Sequence, residues 1–144
     1  MSIWAVDSSV LVAALVATHP RHEACARLLA HAQEARYAVV VAAHALSEIF
    51  AALCALPLQP PISASAAAVL VRDGVEGRCR ISGVHGDTVH DALAAVVAAG
   101  APAEAIHDAL HALCAQRARA ECIWTLHVDA LVPFWDAAHV KRPE

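Results

Sequence analysis

The sequence predicts a helix-rich α/β protein built on an open, mostly parallel sheet, and three observations carry that expectation. Short apolar runs of strand length alternate with longer segments whose apolar residues recur at helical spacing. One run, Tyr37 to Ala43 (YAVVVAA), is rich in β-branched residues and apolar throughout, as a strand covered on both faces must be. Another, Ile3 to Val6, runs directly into Asp7, which puts an acid at the carboxyl end of a strand, where open α/β sheets gather their ligands.

Taken in order, Ile3 to Val6 reads as the first strand, and Ser8 and Ser9 open a helix that reaches Val16. An Asp before two serines is also an ordinary helix cap, so Asp7 has two readings at this point. Thr18, His19 and Pro20 interrupt the pattern before a helix over Arg21 to Gln33. The strand Tyr37 to Ala43 is followed by a helix from His44 to Leu56, and Ser63 can cap another to about Val71. Asp73, Gly74 and Gly77 mark a loop, and Arg80 to Val84 a short edge strand. Asp87 begins an Ala-rich helix that Gly100 and Pro102 stop, a further helix runs from about Ala103 to Arg119, and Cys122 to Leu126 forms the last strand. The tail from Pro133 to Glu144 fits no single element. Strands alternating with helices favour right-handed crossovers over a bundle.

At 144 residues the chain is expected to form one domain, 1–144, with a core that needs no staples. The apolar fraction of 59% is high and leaves surface for a partner or a second copy. A net charge of −4 argues against a globally cationic nucleic-acid binder, so any such contact requires a local patch. Five cysteines without CxxC spacing indicate neither a disulfide framework nor a zinc ribbon and fit a reducing cytoplasm. The start of the chain has no basic region ahead of its apolar stretch, which argues against a secretory signal. Ile49 to Val71 is free of charge, but Pro57, Pro60 and Pro61 divide it into two helices around a loop, so no membrane span is expected.

Two helices carry an acid opposite their apolar stripe. Leu46, Ile49, Phe50 and Leu53 make one stripe, with Glu48 on the far side among Ala45, Ala51, Ala52 and Ala55, small neighbours that admit a close contact. Ile106, Leu110 and Leu113 make the other, with Asp108 opposite and in an early turn, where the helix dipole also favours it. Beyond the last strand stand Thr125, His127 and Asp129. Each acid taken singly is equally well a solvated charge. If they converge, two carboxylates about 4 Å apart repel by about 4 kcal/mol at an effective dielectric near 20, so a proton or a cation must enter. Oxygen donors alone suit Mg²⁺ or Mn²⁺, which activate a bound water and offset charge on a phosphate.

Four blocks, VDSSVLVAALV, HALSEIFAAL, IHDALHALCAQ and IWTLHVDAL, resemble in order and spacing the motif blocks of PIN-domain ribonucleases, specifically the VapC-type toxins of bacterial toxin-antitoxin pairs. The likeness covers nearly the whole chain. It implies a Rossmann-like α/β/α sandwich and Mg²⁺- or Mn²⁺-dependent endonucleolytic cleavage of RNA, held in check by a protein antitoxin, with a homodimer also expected. Its acidic set falls on Asp7, Glu48 and Asp108 as metal ligands, with Asp129 as a fourth catalytic member. The fourth block departs from the pattern: His127 stands where relatives carry Asp or Asn, Ala130 stands where they carry a second acid, and Asp129 is one residue out of register. Ser9 and Thr125 fall beside the acids, where they orient a carboxylate or cap the backbone.

Two other readings stay open. One is a non-catalytic PIN-like module that binds RNA or protein. The other is a zinc hydrolase on His107-Asp108-Ala109-Leu110-His111, which places two imidazoles at i and i+4 much as HExxH does, without an obvious third ligand. Arg78 with Arg80, and Lys141 with Arg142, are the basic clusters expected to meet phosphate.

Overall fold

The computed structural model describes all 144 residues. Five strands, β1 (Ile3–Val6), β2 (Ala38–Ala42), β3 (Arg80–Ser82), β4 (Cys122–Trp124) and β5 (Val140–Lys141), form one sheet in the order β3-β2-β1-β4-β5. Every neighbouring pair is parallel, with Ile3 opposite Ala38, Trp4 opposite Cys122, Val40 opposite Arg80 and Ile123 opposite Val140.

Strand periodicity divides the core into two layers. Val6, Val39 and Val41 face the helices α1 (Ser8–Leu15), α2 (His22–Glu34), α3 (His44–Ala55) and α4 (Ala64–Val71), where Leu11, Cys25, Ile49 and Leu53 are fully buried. Ala5, Ile123 and Val140 face the other way, onto α6 (Ile106–Arg117) and α7 (Val128–Leu131). The helix α5 (Gly86–Ala99) lies against α6 through Ala92, Val96, Ala109 and Leu110. The result is the expected helix-rich α/β/α sandwich. Valines 39 to 41 are buried from both sides, which is why that stretch shows no polar alternation.

The tail that fitted no element supplies the edge strand β5, and the carbonyls of His139, just before it, and Lys141, within it, take the Ile123 and Thr125 N–H groups at 2.8 and 2.9 Å. Strand β4 ends at Trp124 rather than Leu126, because the Leu126 N–H leaves the ladder to donate to Ser9 Oγ at 3.0 Å. The loop expected around Gly74 is a π-helical turn, Arg72–Glu76, in which Gly74 packs so closely on Leu15 that a Cβ would clash with its side chain. Gly100 ends α5 in the left-handed conformation, φ 63°, that a glycine stop supplies. The proline-rich segment separates α3 from α4, and no helix is long and apolar enough to cross a membrane. All five cysteines are free thiols.

Candidate active site

The strand order reverses at β1: β2 and β3 build outward on one side, β4 and β5 on the other. Loops leaving the carboxyl ends of β1 and β4 therefore diverge and open a crevice between them. Asp7 follows β1 and Thr125 follows β4, held together by the Asp7 N–H donating to the Trp124 carbonyl at 3.2 Å.

Asp7 is 3% exposed and saturated with donors. Its Oδ1 accepts from the Ser9 hydroxyl at 2.6 Å and from the Ser9 and Val10 N–H groups at 3.1 and 3.3 Å; its Oδ2 accepts from the Thr125 hydroxyl at 2.5 Å. The helix-cap reading of Asp7 is thus correct, and the same carboxylate lines the crevice. Ser9 and Thr125 both orient it. Thr125 Oγ1 also accepts the His127 N–H at 2.9 Å, so the loop after β4 is tied to the acid.

Glu48 enters from α3 toward α6. Its Oε1 accepts from the Ser8 hydroxyl at 2.7 Å and lies 2.9 Å from His111 Nε2, which is itself only 4% exposed. Burial alone would raise the Glu48 carboxyl. The hydrogen bonds from His111 and Ser8, with attraction to His111 and His44, outweigh burial and bring it down to about 2. Asp108, in the first turn of α6, behaves in the opposite way. Burial raises its pKa, His111 opposes that, and the charges of Asp7 and Glu48 push it further up. No hydrogen bond offsets the rise. Burial and the charges of Asp7 and Glu48 together outweigh the attraction of His111 and His127 at Asp108.

Asp7, Glu48 and Asp108 all line one cleft, together with Ser8, Ser9, His111 and His127. Asp129 does not join them. It is an exposed residue in the first turn of α7, outside the cleft lining, and His127 occupies the rim in its place. The basic residues at the cleft are Arg21 and Arg142; Arg142 donates to the Leu126 carbonyl at 3.0 Å and Arg21 to that of Pro143. Arg78 and Arg80, expected to meet phosphate, lie at the opposite end of the sheet beside Met1 and Arg36, because Arg80 is the first residue of a parallel strand. Lys141 sits over the Trp124 ring, 5.7 Å from its centroid.

The donor set suits a hard divalent cation: three carboxylates line one cleft, and the Asp108 carboxyl is held above its ordinary value there. Residues that the sequence reading did not assign to the site are Ser8 and His44, the latter 3.4 Å from Glu48 Oε1 through its Nε2. The available signal was a pair of i, i+4 spacings, His44 with Glu48 and His107 with His111, each on one helical face.

A parallel α/β/α sandwich with carboxylates gathered where its strand order reverses defines the class of protein. The chain belongs to the PIN domain family, whose sequence pattern matches residues 5–129. Among solved structures the fold is similar to that of Mycobacterium tuberculosis VapC20, described as a Sarcin-Ricin loop cleaving toxin. The TM-score is 0.66 and the identity 23%, over 85% of this chain and 87% of that one. It is also similar to VapBC2 from Rickettsia felis bound to a DNA fragment from their promoter, with a TM-score of 0.64 and 11% identity over 99% of both chains. A comparison with curated protein sequences gives no match.

Proposed function

We propose that this chain is a metal-dependent endoribonuclease toxin, a single domain over residues 1–144 that hydrolyses RNA phosphodiesters in the cytoplasm and is neutralised by a protein antitoxin. The observation that carries the proposal is the convergence of Asp7, Glu48 and Asp108 on one cleft. Membership of the PIN domain family and the fold shared with VapC20 support it. Likeness to VapBC2 supports the antitoxin. Val89, Leu93 and Val97 of α5 are exposed and supply apolar surface for protein partners, a second copy included.

Asp7, Glu48 and Asp108 are the residues that would hold Mg²⁺ or Mn²⁺, which when bound acidifies water and offsets charge developing on the phosphate. Ser9 and Thr125 fix the Asp7 carboxylate so that it needs no reorganisation. Ser8 and His111 keep Glu48 anionic at neutral pH. Arg21 and Arg142 at the cleft rim are positioned to meet the RNA backbone. No side-chain nucleophile is required, since Ser8 and Ser9 donate their protons to carboxylates. The deciding experiment is cleavage of RNA by wild type and Asp7→Asn with Mg²⁺ or Mn²⁺. Loss of cleavage in the variant is expected. Equal cleavage by both sinks the mechanism, and RNA binding without cleavage by the wild type marks a non-catalytic module instead.

A further inference from the structure

Beside the acid-lined cleft, two helices face each other through pairs of residues one turn apart. Helix α3 presents His44 and Glu48, and α6 presents His107 and His111. The rings of His44 and His107 stack with centroids 5.9 Å apart, and His44 approaches His111 to 4.4 Å. Three imidazoles thus surround one carboxylate: His111 Nε2 at 2.9 Å and His44 Nε2 at 3.4 Å from Oε1, and His107 Nδ1 at 4.0 Å from Oε2.

His44 is the anomaly in this cluster. Its side chain is 16% exposed, and both of its ring nitrogens are buried without a hydrogen-bond partner, the approach to Glu48 included. Buried polar atoms are rarely left in that state. An imidazole whose ring nitrogens have no other partner, set beside a carboxylate, offers a ligand to a metal ion. Ligand atoms of His44, Glu48 and His107 lie within 4.8 Å of one another. Tetrahedral zinc at about 2 Å from each donor sets the donors about 3.3 Å apart, so closure asks for up to about 1.5 Å from side-chain rotation.

We infer that His44, Glu48 and His107 form a second cation site, for a transition-metal ion of the zinc class, which shares Glu48 with the acid-lined cleft. Two imidazoles, one carboxylate and a water complete four-coordination. His111 stays outside the ligand set and orients Glu48 through Nε2, the role such outer partners have at metal sites. The His107 and His111 pair is therefore split: His107 joins α3 ligands instead of a neighbour on its own helix. Because Glu48 cannot serve both sites equally, zinc there antagonises Mg²⁺-dependent RNA cleavage, a consequence that rests on the nuclease reading while the binding does not.

Titration of the intact protein with Co²⁺, read by its visible absorption and reversed by Zn²⁺, tests the site. Wild type and Asp7→Asn are expected to bind one equivalent with the intense bands of four-coordination. His44→Ala and His107→Ala are each expected to weaken it at least about 10- to 100-fold, the loss that even outer-shell changes produce. His107 is 58% exposed, so its variant folds irrespective of the site. Absence of stoichiometric binding, or binding that both variants retain, overturns the inference. In cleavage assays the ratio of Mg²⁺-dependent rates with and without Zn²⁺ is expected to fall well below one for wild type and to return toward one in His107→Ala; equal ratios remove the antagonism. A protein that binds Co²⁺ through His44 and His107 yet cuts no RNA keeps the site and loses the nuclease reading.

Discussion

Replacing Thr125 by Val keeps the shape of a fully buried side chain and removes one oxygen. That oxygen donates to Asp7 Oδ2 at 2.5 Å and accepts the His127 N–H at 2.9 Å. The other three donors to Asp7 all reach Oδ1, so the substitution leaves Oδ2 of a carboxylate only 3% exposed with no partner. A hydrogen bond to a charged group is worth about 1.5 to 3 kcal/mol, and a buried acceptor left unsatisfied incurs its full desolvation penalty. His127 is exposed, and its freed N–H can turn to water at little cost. Thr125→Val is therefore expected to destabilise by about 2 to 3 kcal/mol, which lowers Tm by roughly 6 to 9 °C in a chain of this size. Thr125→Ser keeps the oxygen, loses one buried methyl and costs about 1 kcal/mol. Urea unfolding in EDTA measures both, with the m-value unchanged and the midpoint shifted. A Val variant as stable as the Ser variant would refute the assignment of Thr125 as the donor that holds Asp7.

Three further expectations follow from the same geometry. Burial, then His111, depresses His44 to about 4 from an ordinary 6.5, with Glu48 and His107 also facing it. Between those values the unfolded chain takes a proton that the folded chain refuses, so stability complete above pH 6.5 is lost as pH falls toward 4, by up to about 3 kcal/mol. His44→Gln should flatten the pH dependence of metal-free unfolding between pH 7 and 5, and an unchanged slope contradicts the burial argument. Arg142→Ala should weaken RNA binding and reduce its salt slope by about 1, whereas Arg80→Ala at the far end of the sheet should change neither. Asp129→Asn should leave RNA cleavage within about threefold of wild type while Asp7→Asn lowers it at least about 100-fold, and comparable losses would restore Asp129 to the site.

The parts of the fold written into short stretches were legible in the sequence. Valines 39 to 41 announce a strand covered on both faces, and the Asp-Ser-Ser step announces both a cap and a strand-end acid, two roles that one carboxylate fills at once. Glu48 was recoverable because its small alanine neighbours imply a close helix, and α6 is that helix. What escaped is tertiary in origin. The two residues of β5 have no pattern of their own and become a strand because the Ile123 and Thr125 N–H groups require acceptors. Asp129 was an expected site residue because it stands just beyond the last strand, but Leu126 leaves the ladder for Ser9 Oγ, and the turn that follows carries His127 to the cleft and Asp129 into an exposed turn of α7. The imidazoles of His44, His107 and His111 are separated by up to 67 positions, and only the packing of α3 on α6 brings them to one carboxylate.

Convergence of Asp7, Glu48 and Asp108 on a divalent ion is the claim on which the rest depends, and the anomalous scattering of Mn²⁺ soaked into a crystal measures it directly. A peak within about 2.5 Å of oxygens of Asp7 and Asp108, and absent from Asp108→Asn crystals, is predicted. No peak at those carboxylates, or one found only between His44 and His107, would contradict it.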